Sequence, residues 1–343
     1  MQAESEVVLQ FRFAPGEAVR DAAQLPPLRV QQGAEVAVRV ALMQEQVRAG
    51  VVGPMLSLHN DVVAPYIERY GSEAQKARIL PRMASGDWIG AIAMTEPSGG
   101  SDLRGMKTRA RREGDTYVIS GQKIFISNGV LADIVVLAAQ TERGISLFLV
   151  ETEGLAGFGR GQPLDKLGQW SADTAELFFD EMRVPESALL GGAEGRGFAQ
   201  LMDRLVEERL MTAVGAVATI DHAIETTVAY TRERRAFGQR VIDFQNSRFR
   251  LAEAETEARV CRIFLARCMA KFMDGTLSPE EAAMLKLRTT ELQNSIVDDC
   301  MQLHGGYGYM LEYPISRLWL DSRISRIYGG SSEIMKEIIG RTL

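Results

Sequence analysis

The chain of 343 residues is 46% hydrophobic and 24% charged, and it carries a formal net charge of −6. These values are typical of a folded globular protein, and the lack of excess positive charge argues against nucleic acid as the main partner. No apolar run approaches the roughly 18 residues that a membrane-spanning helix needs, so no membrane association is expected.

The acidic first six residues lack the features of a signal or transit peptide, which favours a cytoplasmic location. The three cysteines and three histidines are scattered along the sequence. This distribution predicts reduced, buried thiols and neither a disulfide nor a metal site.

Residues 1–87 are predicted to form an N-terminal helical region. Its first half is ambiguous, because the segment Val36–Val40 alternates like a strand within a helix-like composition. Two short helices are expected between residues 60 and 86. The second of them begins at a capping box, in which Ser72 and Gln75 satisfy each other's backbone donors.

Residues 88–187 are predicted to form a β domain. Six short runs are rich in β-branched and aromatic residues, and turn-forming residues separate them. The spacing favours a compact antiparallel barrel or sandwich. The runs are 88–94, 116–119, 123–126, 134–137, 145–150 and 176–179, and the turns are 113–115, 120–121 and 128–129.

Residues 198–343 are predicted to form a C-terminal helix bundle. One helix extends from Phe198 to about Tyr230, and another begins near Phe244. A third begins at Ser278, an N-cap that precedes a proline and two acids. The predicted fold class is therefore α+β, with an N-terminal helical region, a central antiparallel β-barrel or sandwich and a C-terminal helix bundle.

The segment Thr95–Asp102 is a turn of small residues whose N–H groups and hydroxyls suit a flat polar ring or an anion. Alone, it is typical of an ordinary polar turn. Together with four later segments, however, it resembles the motifs of the acyl-CoA dehydrogenases, in the order and at the spacing of that family. The later segments are Phe125–Asn128, Arg234–Gln239, Gln302–Tyr309 and Ile327–Ile334.

The resemblance covers roughly residues 50–343 and implies a flavoenzyme that binds FAD. Some residues are expected to line the cofactor of their own subunit, and others to reach it across a subunit interface, which implies a homotetramer or at least a dimer. The first set comprises Met94, Thr95, Ser101, Phe125 and Ser127, with Ser331 and Glu333 near the cofactor, and the second set comprises Arg234, Phe237, Gln302 and Gly306.

Acyl-CoA dehydrogenases convert an acyl-CoA thioester to the trans-2-enoyl-CoA and pass electrons to an electron-transfer flavoprotein. A carboxylate must remove the α-proton, and in many members it follows the tyrosine of the last segment. Here that position is Gly329. The resemblance therefore points to the long-chain and isovaleryl-type subset, whose base lies on an earlier helix in a context that Val206–Leu210 matches.

Adjacent residues on a helix point about 100° apart, so only one of Glu207 and Glu208 faces the pocket. Glu208 shares a stripe with leucines and a threonine, which favours it as a desolvated base; without the family, both glutamates would be interpreted as a solvated charged patch. The resemblance further places five residues against the substrate, namely Ser101, Val206, Glu207, Arg209 and Gly329, the last through its backbone N–H as an oxyanion donor.

Two alternative functions remain open at this point: an acyl-CoA oxidase that uses O2, and a catalytically silent FAD-binding scaffold. Ala199 and Gly215 hint at room for a longer or branched acyl chain. Residues 1 to about 45 do not resemble the opening helices of the family and the chain is shorter than usual, so a truncated or rearranged N-terminal region is expected.

Overall fold

The computed structural model describes residues 32–51 and 55–343. The N-terminal region contains a π-helical turn and three helices, and the predicted capping box of Ser72 and Gln75 is present at the start of the third helix. The turn is Leu58–Val63, and the helices are α1 (Gln32–Arg48), α2 (Ala64–Tyr70) and α3 (Glu73–Ser85).

The ambiguous segment around Val36 is helical. Val36, Val40, Met43 and Val47 are buried along one face of α1, at the three- and four-residue spacing of a helix. Val38 is 67% exposed and lies on the opposite face, so the strand-like alternation was coincidental. Expectations for residues 1–31 and 52–54 lie outside the described residues.

The β domain is one seven-stranded sheet. The sequence predicts an antiparallel barrel or sandwich, but the observed sheet is mixed, because the first strand pairs with the fourth in parallel. The strands are β1 (Gly90–Ala93), β2 (Arg109–Glu113), β3 (Thr116–Ser127), β4 (Ile134–Thr141), β5 (Gly144–Glu151), β6 (Phe158–Arg160) and β7 (Thr174–Pro185).

Strand β3 replaces two of the predicted strands and the turn between them. Residues 120–121 form a bulge in its pairing with β7 rather than a turn. Gly121 has a φ of 152° there, and a Cβ would lie 2.5 Å from the Thr108 hydroxyl oxygen, so the backbone approaches its neighbour as only glycine allows. Strands β2 and β6 were missed, since β2 is mostly charged and β6 has three residues.

Strand β4 lies between two hydrophobic cores. Val135 and Leu137 belong to the core inside the sheet, whereas Ile134 and Val136 belong to a core shared with α2, α3 and the start of the C-terminal region. Because alternate residues of a strand face opposite sides, this run of apolar residues fixes the N-terminal helices against the sheet.

The C-terminal region consists of helices that pack on each other and on α1. The predicted N-cap at Ser278 is present, with a capping box to Glu281, and all three cysteines are buried. Among the helices of the described ranges, none is both long and apolar enough to cross a bilayer. The helices are α4 (Gly197–Glu233), α5 (Gln245–Met273), α6 (Pro279–His304), α7 (Pro314–Ser322) and α8 (Ser332–Gly340).

A buried ion pair joins β3 to the loop after β1. The Lys123 ammonium donates to Glu96 Oε1 at 2.9 Å and to the Met94 carbonyl at 3.0 Å. Burial alone would raise the pKa of Glu96, but hydrogen bonds from Thr108, Lys107 and Lys123 lower it to about 2. The pair therefore holds this loop in one conformation.

We predict that Lys123→Met lowers the free energy of unfolding by about 3 kcal/mol, because it leaves the Glu96 carboxylate buried without its cation. Lys76→Met is the control, since Lys76 pairs with an exposed Glu73 and such pairs contribute at most about 1 kcal/mol. Urea denaturation of the two variants measures the difference. A loss for Lys123→Met no larger than that of the control would contradict the prediction.

Candidate active site

A cavity of about 1410 Å³ lies between the β domain, α1 and the C-terminal helices. Small-molecule pockets typically have about 300–1,000 Å³, so this cavity has room for two ligands side by side. Its β-domain wall contains all five residues that the sequence predicts for the same-subunit cofactor contacts, which are Met94, Thr95, Ser101, Phe125 and Ser127.

The loop Thr95–Asp102 is fixed from behind. The Ile124 N–H donates to the Thr95 carbonyl at 3.0 Å, and the Lys123 ammonium holds the residues on both sides of Thr95. These bonds engage backbone and buried side chains, so the Thr95 hydroxyl and the small residues of the loop remain at the cavity wall.

Phe125 presents an aromatic surface to this cavity. Its side chain is 64% exposed and its φ is 59°, a left-handed conformation that costs a non-glycine residue roughly 1–2 kcal/mol. The register shift between Lys123 and Ile126 in the pairing of β3 with β7 produces this turn of the backbone. A strained, exposed aromatic ring at a cavity wall suits a flat ligand.

Helix α4 forms another wall of the cavity. Its two adjacent glutamates lie in different surroundings. Glu208 lines the cavity together with Leu205 and Thr212. The Tyr66 hydroxyl donates to Glu208 Oε1 at 3.1 Å. Burial raises the pKa of Glu208 to about 7, outweighing the opposing influence of the Tyr66 hydrogen bond and of two nearby arginines.

Glu207 points away from the cavity into a buried ion-pair network. Its carboxylate accepts from Arg39 at 2.7 Å and also from Arg204, and Arg39 in turn donates to Asp61 at 2.6 Å. Val206 does not line the cavity either. Val206 and Glu207 are therefore not brought to the cavity wall with Glu208, and the rotation of α4 turns Glu207 toward Arg39 and Arg204 instead.

The turn at Gly329–Gly330, in the C-terminal segment, lies next to Thr212 and Arg209 of α4. The φ angles of 65° and 96° favour glycine at both positions. A Cβ on Gly329 would lie 3.7 Å from the Thr212 hydroxyl oxygen, so a longer side chain would enter the space in front of α4. Lys286 anchors the turn by donating from its buried ammonium to the Gly330 carbonyl at 2.7 Å.

Other predicted site residues take different positions. Arg209, Gly329 and Ser331 line the cavity, and Ser331 also caps α8. The exposed Glu333 does not line the cavity. Ala199 is likewise exposed outside the cavity, whereas Gly215 lies in its wall.

The four residues predicted to reach a second subunit lie outside the cavity. They are Arg234, Phe237, Gln302 and Gly306, and all are exposed in the single chain. Phe237 is 96% exposed, and the Arg234 guanidinium lies 5.4 Å from the centroid of the Tyr307 ring. An exposed cluster of aromatic and cationic groups is typical of an interface.

Sequence reasoning missed two polar residues at this site. Tyr66 gave no signal, because its role depends on α2 meeting α4 in the fold. Lys286 gave a weak one: it is a single cation within the apolar run Ala282–Leu287, and such a residue is expected to pair with a buried acceptor.

The walls of the cavity fit a flavin. Phe125 offers a flat apolar surface, and Thr95, Ser101 and Ser127 supply hydroxyls at its edge. Glu208 supplies a carboxylate of raised pKa to the same cavity. A carboxylate and an aromatic platform in one cavity suit proton removal from a substrate bound beside a flavin.

Comparisons with known proteins agree with this geometry. Models of the acyl-CoA dehydrogenase N-terminal, middle and C-terminal domains match residues 31–87, 91–182 and 195–343. Residues 31–45, which by sequence alone do not resemble the family, thus fall within a matched domain. The long-chain specific acyl-CoA dehydrogenase of Sus scrofa is 46% identical over 318 residues, which cover 91% of this chain and 74% of that protein.

Solved structures show the same relationship. An acyl-CoA dehydrogenase from Geobacillus kaustophilus has a TM-score of 0.86 and 44% identity, covering 89% of this chain and 82% of that one. A glutaryl-CoA dehydrogenase from Mycobacterium smegmatis in complex with FADH2 has a TM-score of 0.83 and 34% identity, covering 88% and 78%. This chain therefore belongs to the acyl-CoA dehydrogenase family.

Proposed function

We propose that this protein dehydrogenates an acyl-CoA thioester to the trans-2-enoyl-CoA with Glu208 as the catalytic base. The observation that supports this role is the position of Glu208 in the wall of the same cavity that the Thr95 loop and Phe125 line. The enzyme is FAD-dependent and passes electrons to an electron-transfer flavoprotein.

The Thr95 loop and Phe125 would hold FAD against the β domain, and Ser101 and Ser127 would add hydroxyl donors. When bound there, FAD would supply the acceptor for the hydride that leaves the β-carbon of the substrate. Glu208 would take the α-proton of the substrate. Because its carboxylate is desolvated, Glu208 is a stronger base than an exposed glutamate. It is therefore better matched to the weakly acidic α-proton.

The turn at Gly329–Gly330 contributes through its backbone. We assign the Gly329 N–H the role of polarising the thioester carbonyl, which makes the α-proton more acidic. The hydrogen bond from Lys286 to Gly330 fixes this turn. Glycine at position 329 also leaves the space in front of Thr212 that a substrate needs beside Glu208.

The exposed cluster around Phe237 supports a homotetramer, or at least a dimer, in which Arg234, Phe237, Gln302 and Gly306 contact the cofactor of a neighbouring subunit. An isolated chain would leave Phe237 in water. The cytoplasmic location expected from the N-terminal sequence stays a prediction.

The shape of the cavity supports a long acyl chain as substrate. Beyond Glu208 the cavity continues between α1 and α4, where Gly215, Ala216 and Thr219 face Met43 and Val47. Thr219 lies eleven residues after Glu208 on one helix, which corresponds to roughly 16 Å. This extension is mostly apolar and suits the distal part of a long hydrocarbon chain.

We predict that Glu208→Gln abolishes anaerobic bleaching of the flavin by acyl-CoA, because an amide cannot accept the α-proton. The loss in bleaching rate should exceed about 10³-fold. Glu207→Gln is the matched control: it should reduce thermal stability through its buried network but keep bleaching within about tenfold of the wild type.

These measurements also separate the alternatives. Bleaching by the Glu208→Gln variant at the wild-type rate would contradict the role of Glu208. A wild-type protein that no acyl-CoA bleaches would favour the silent scaffold, and rapid reoxidation of bleached enzyme by air would favour the oxidase.

The raised pKa of Glu208 predicts an acid limb in the pH profile. The base acts in its ionised form, so kcat/KM should rise with pH through about 7 and fall about tenfold per unit well below that value. Steady-state kinetics between pH 5 and pH 9 with one acyl-CoA measure this. A profile that is flat from pH 5.5 to pH 8 would contradict the prediction.

Gly215→Leu tests the path of the acyl chain. A Cβ at this position already lies 3.3 Å from Met43 Sδ, so a leucine would occupy the distal cavity. We expect kcat/KM for a sixteen-carbon substrate to fall at least about tenfold. A four-carbon substrate is the internal control and should change little, whereas equal losses for both substrates would place the acyl chain elsewhere.

A further inference from the structure

The Tyr66 hydroxyl is a buried group that meets Glu208 from a different helix. Tyr66 is wholly buried within the core shared by α2, α3 and the β domain, so its ring has a fixed position. Its hydroxyl donates to Glu208 Oε1 at 3.1 Å, and in the described residues this is the one hydrogen bond recorded for either group's side-chain oxygens.

The two helices that carry these residues are held together independently of this bond. Arg39 bridges Asp61, in the turn that leads into α2, and Glu207, which neighbours Glu208 on α4. Arg204 closes the network on Glu207. The distance from Tyr66 to Glu208 is therefore set by the fold and does not depend on the hydroxyl itself.

We propose that Tyr66 is a positioning residue for the base. Its hydroxyl donates a hydrogen bond to Oε1 of Glu208, so that Oε2 accepts the α-proton, and this bond favours the ionised carboxylate. The proposal rests on the proposed role of Glu208. Because only the ionised form accepts a full charge-assisted hydrogen bond, the bond weakens as the proton arrives. Tyr66 thus limits how far desolvation raises the basicity of Glu208.

Several charged or titratable groups face Glu208 and act together with Tyr66. Arg204 and Arg209 oppose the effect of burial on its pKa as Tyr66 does, whereas the neighbouring Glu207 raises it. Removing the Tyr66 hydroxyl alone leaves the others in place. The groups that act on Glu208 are Tyr66 on α2 and Arg204, Glu207 and Arg209 on α4. Arg39 on α1 and Asp61 on the π-helical turn belong to the ion-pair network of Glu207, and Tyr328 lines the same cavity as Glu208.

The test is Tyr66→Phe, which keeps the ring and removes the hydroxyl. We expect the acid limb of kcat/KM to move up by about one pH unit, so that kcat/KM falls about tenfold at pH 6 and changes little at pH 9. Tyr70→Phe is a matched control: Tyr70 lies on the same helix and donates to Asp203 on α4, but this pair is exposed. Its pH profile should equal that of the wild type.

A second substitution keeps the structure intact. Replacement of Tyr66 by 3-fluorotyrosine preserves the hydroxyl and makes it a stronger donor, so the acid limb should move to lower pH. An unchanged limb in both Tyr66 variants would overturn the proposal while leaving Glu208 as the base. Wild-type activity of Glu208→Gln would instead overturn the proposed function on which it rests.

Discussion

The rotation of α4 about its axis is the constraint on which the site depends. Two acids follow each other on this helix, and a rotation of 100° would exchange their surroundings. The Arg39–Glu207 ion pair fixes one of them in a buried network with Asp61 and Arg204. Glu208 is thereby directed to the cavity, where the same helix also supplies Thr212 and Gly215 to the wall.

The two acids illustrate how surroundings determine the chemistry of one residue type. Glu207 is neutralised by two guanidinium groups and serves to join α1 to α4. Glu208 has one neutral donor, Tyr66, and its desolvation is incompletely compensated, so burial raises its pKa to about 7. A carboxylate in the first setting stabilises structure, and a carboxylate in the second is suited to remove a proton.

The facing side of the cavity is held by two buried lysines. Lys123 fixes the loop that carries Thr95, and Lys286 fixes the glycine turn at position 329. Both cations bind backbone carbonyls, so the Thr95 side chain and Gly329 remain at the cavity wall. Gly329 has no side chain that would enter the space in front of Thr212, and Glu208 and Thr212 line the same cavity.

The sequence alone determined the order of the three regions, the capped starts of α3 and α6 and the five motifs, because these depend on local periodicity and on short ordered segments. Helical spacing together with the family resemblance also predicted that Glu208, rather than Glu207, lines the pocket. The sequence left the helical state of Val36 open, and it gave one turn at Gly121 where the fold has a bulge. Only the tertiary structure decided the parallel pairing of β1 with β4, the buried network around Arg39, and the contact of Tyr66 with Glu208. Each of these joins residues far apart in the chain, so its geometry exists only once the helices and the sheet have packed.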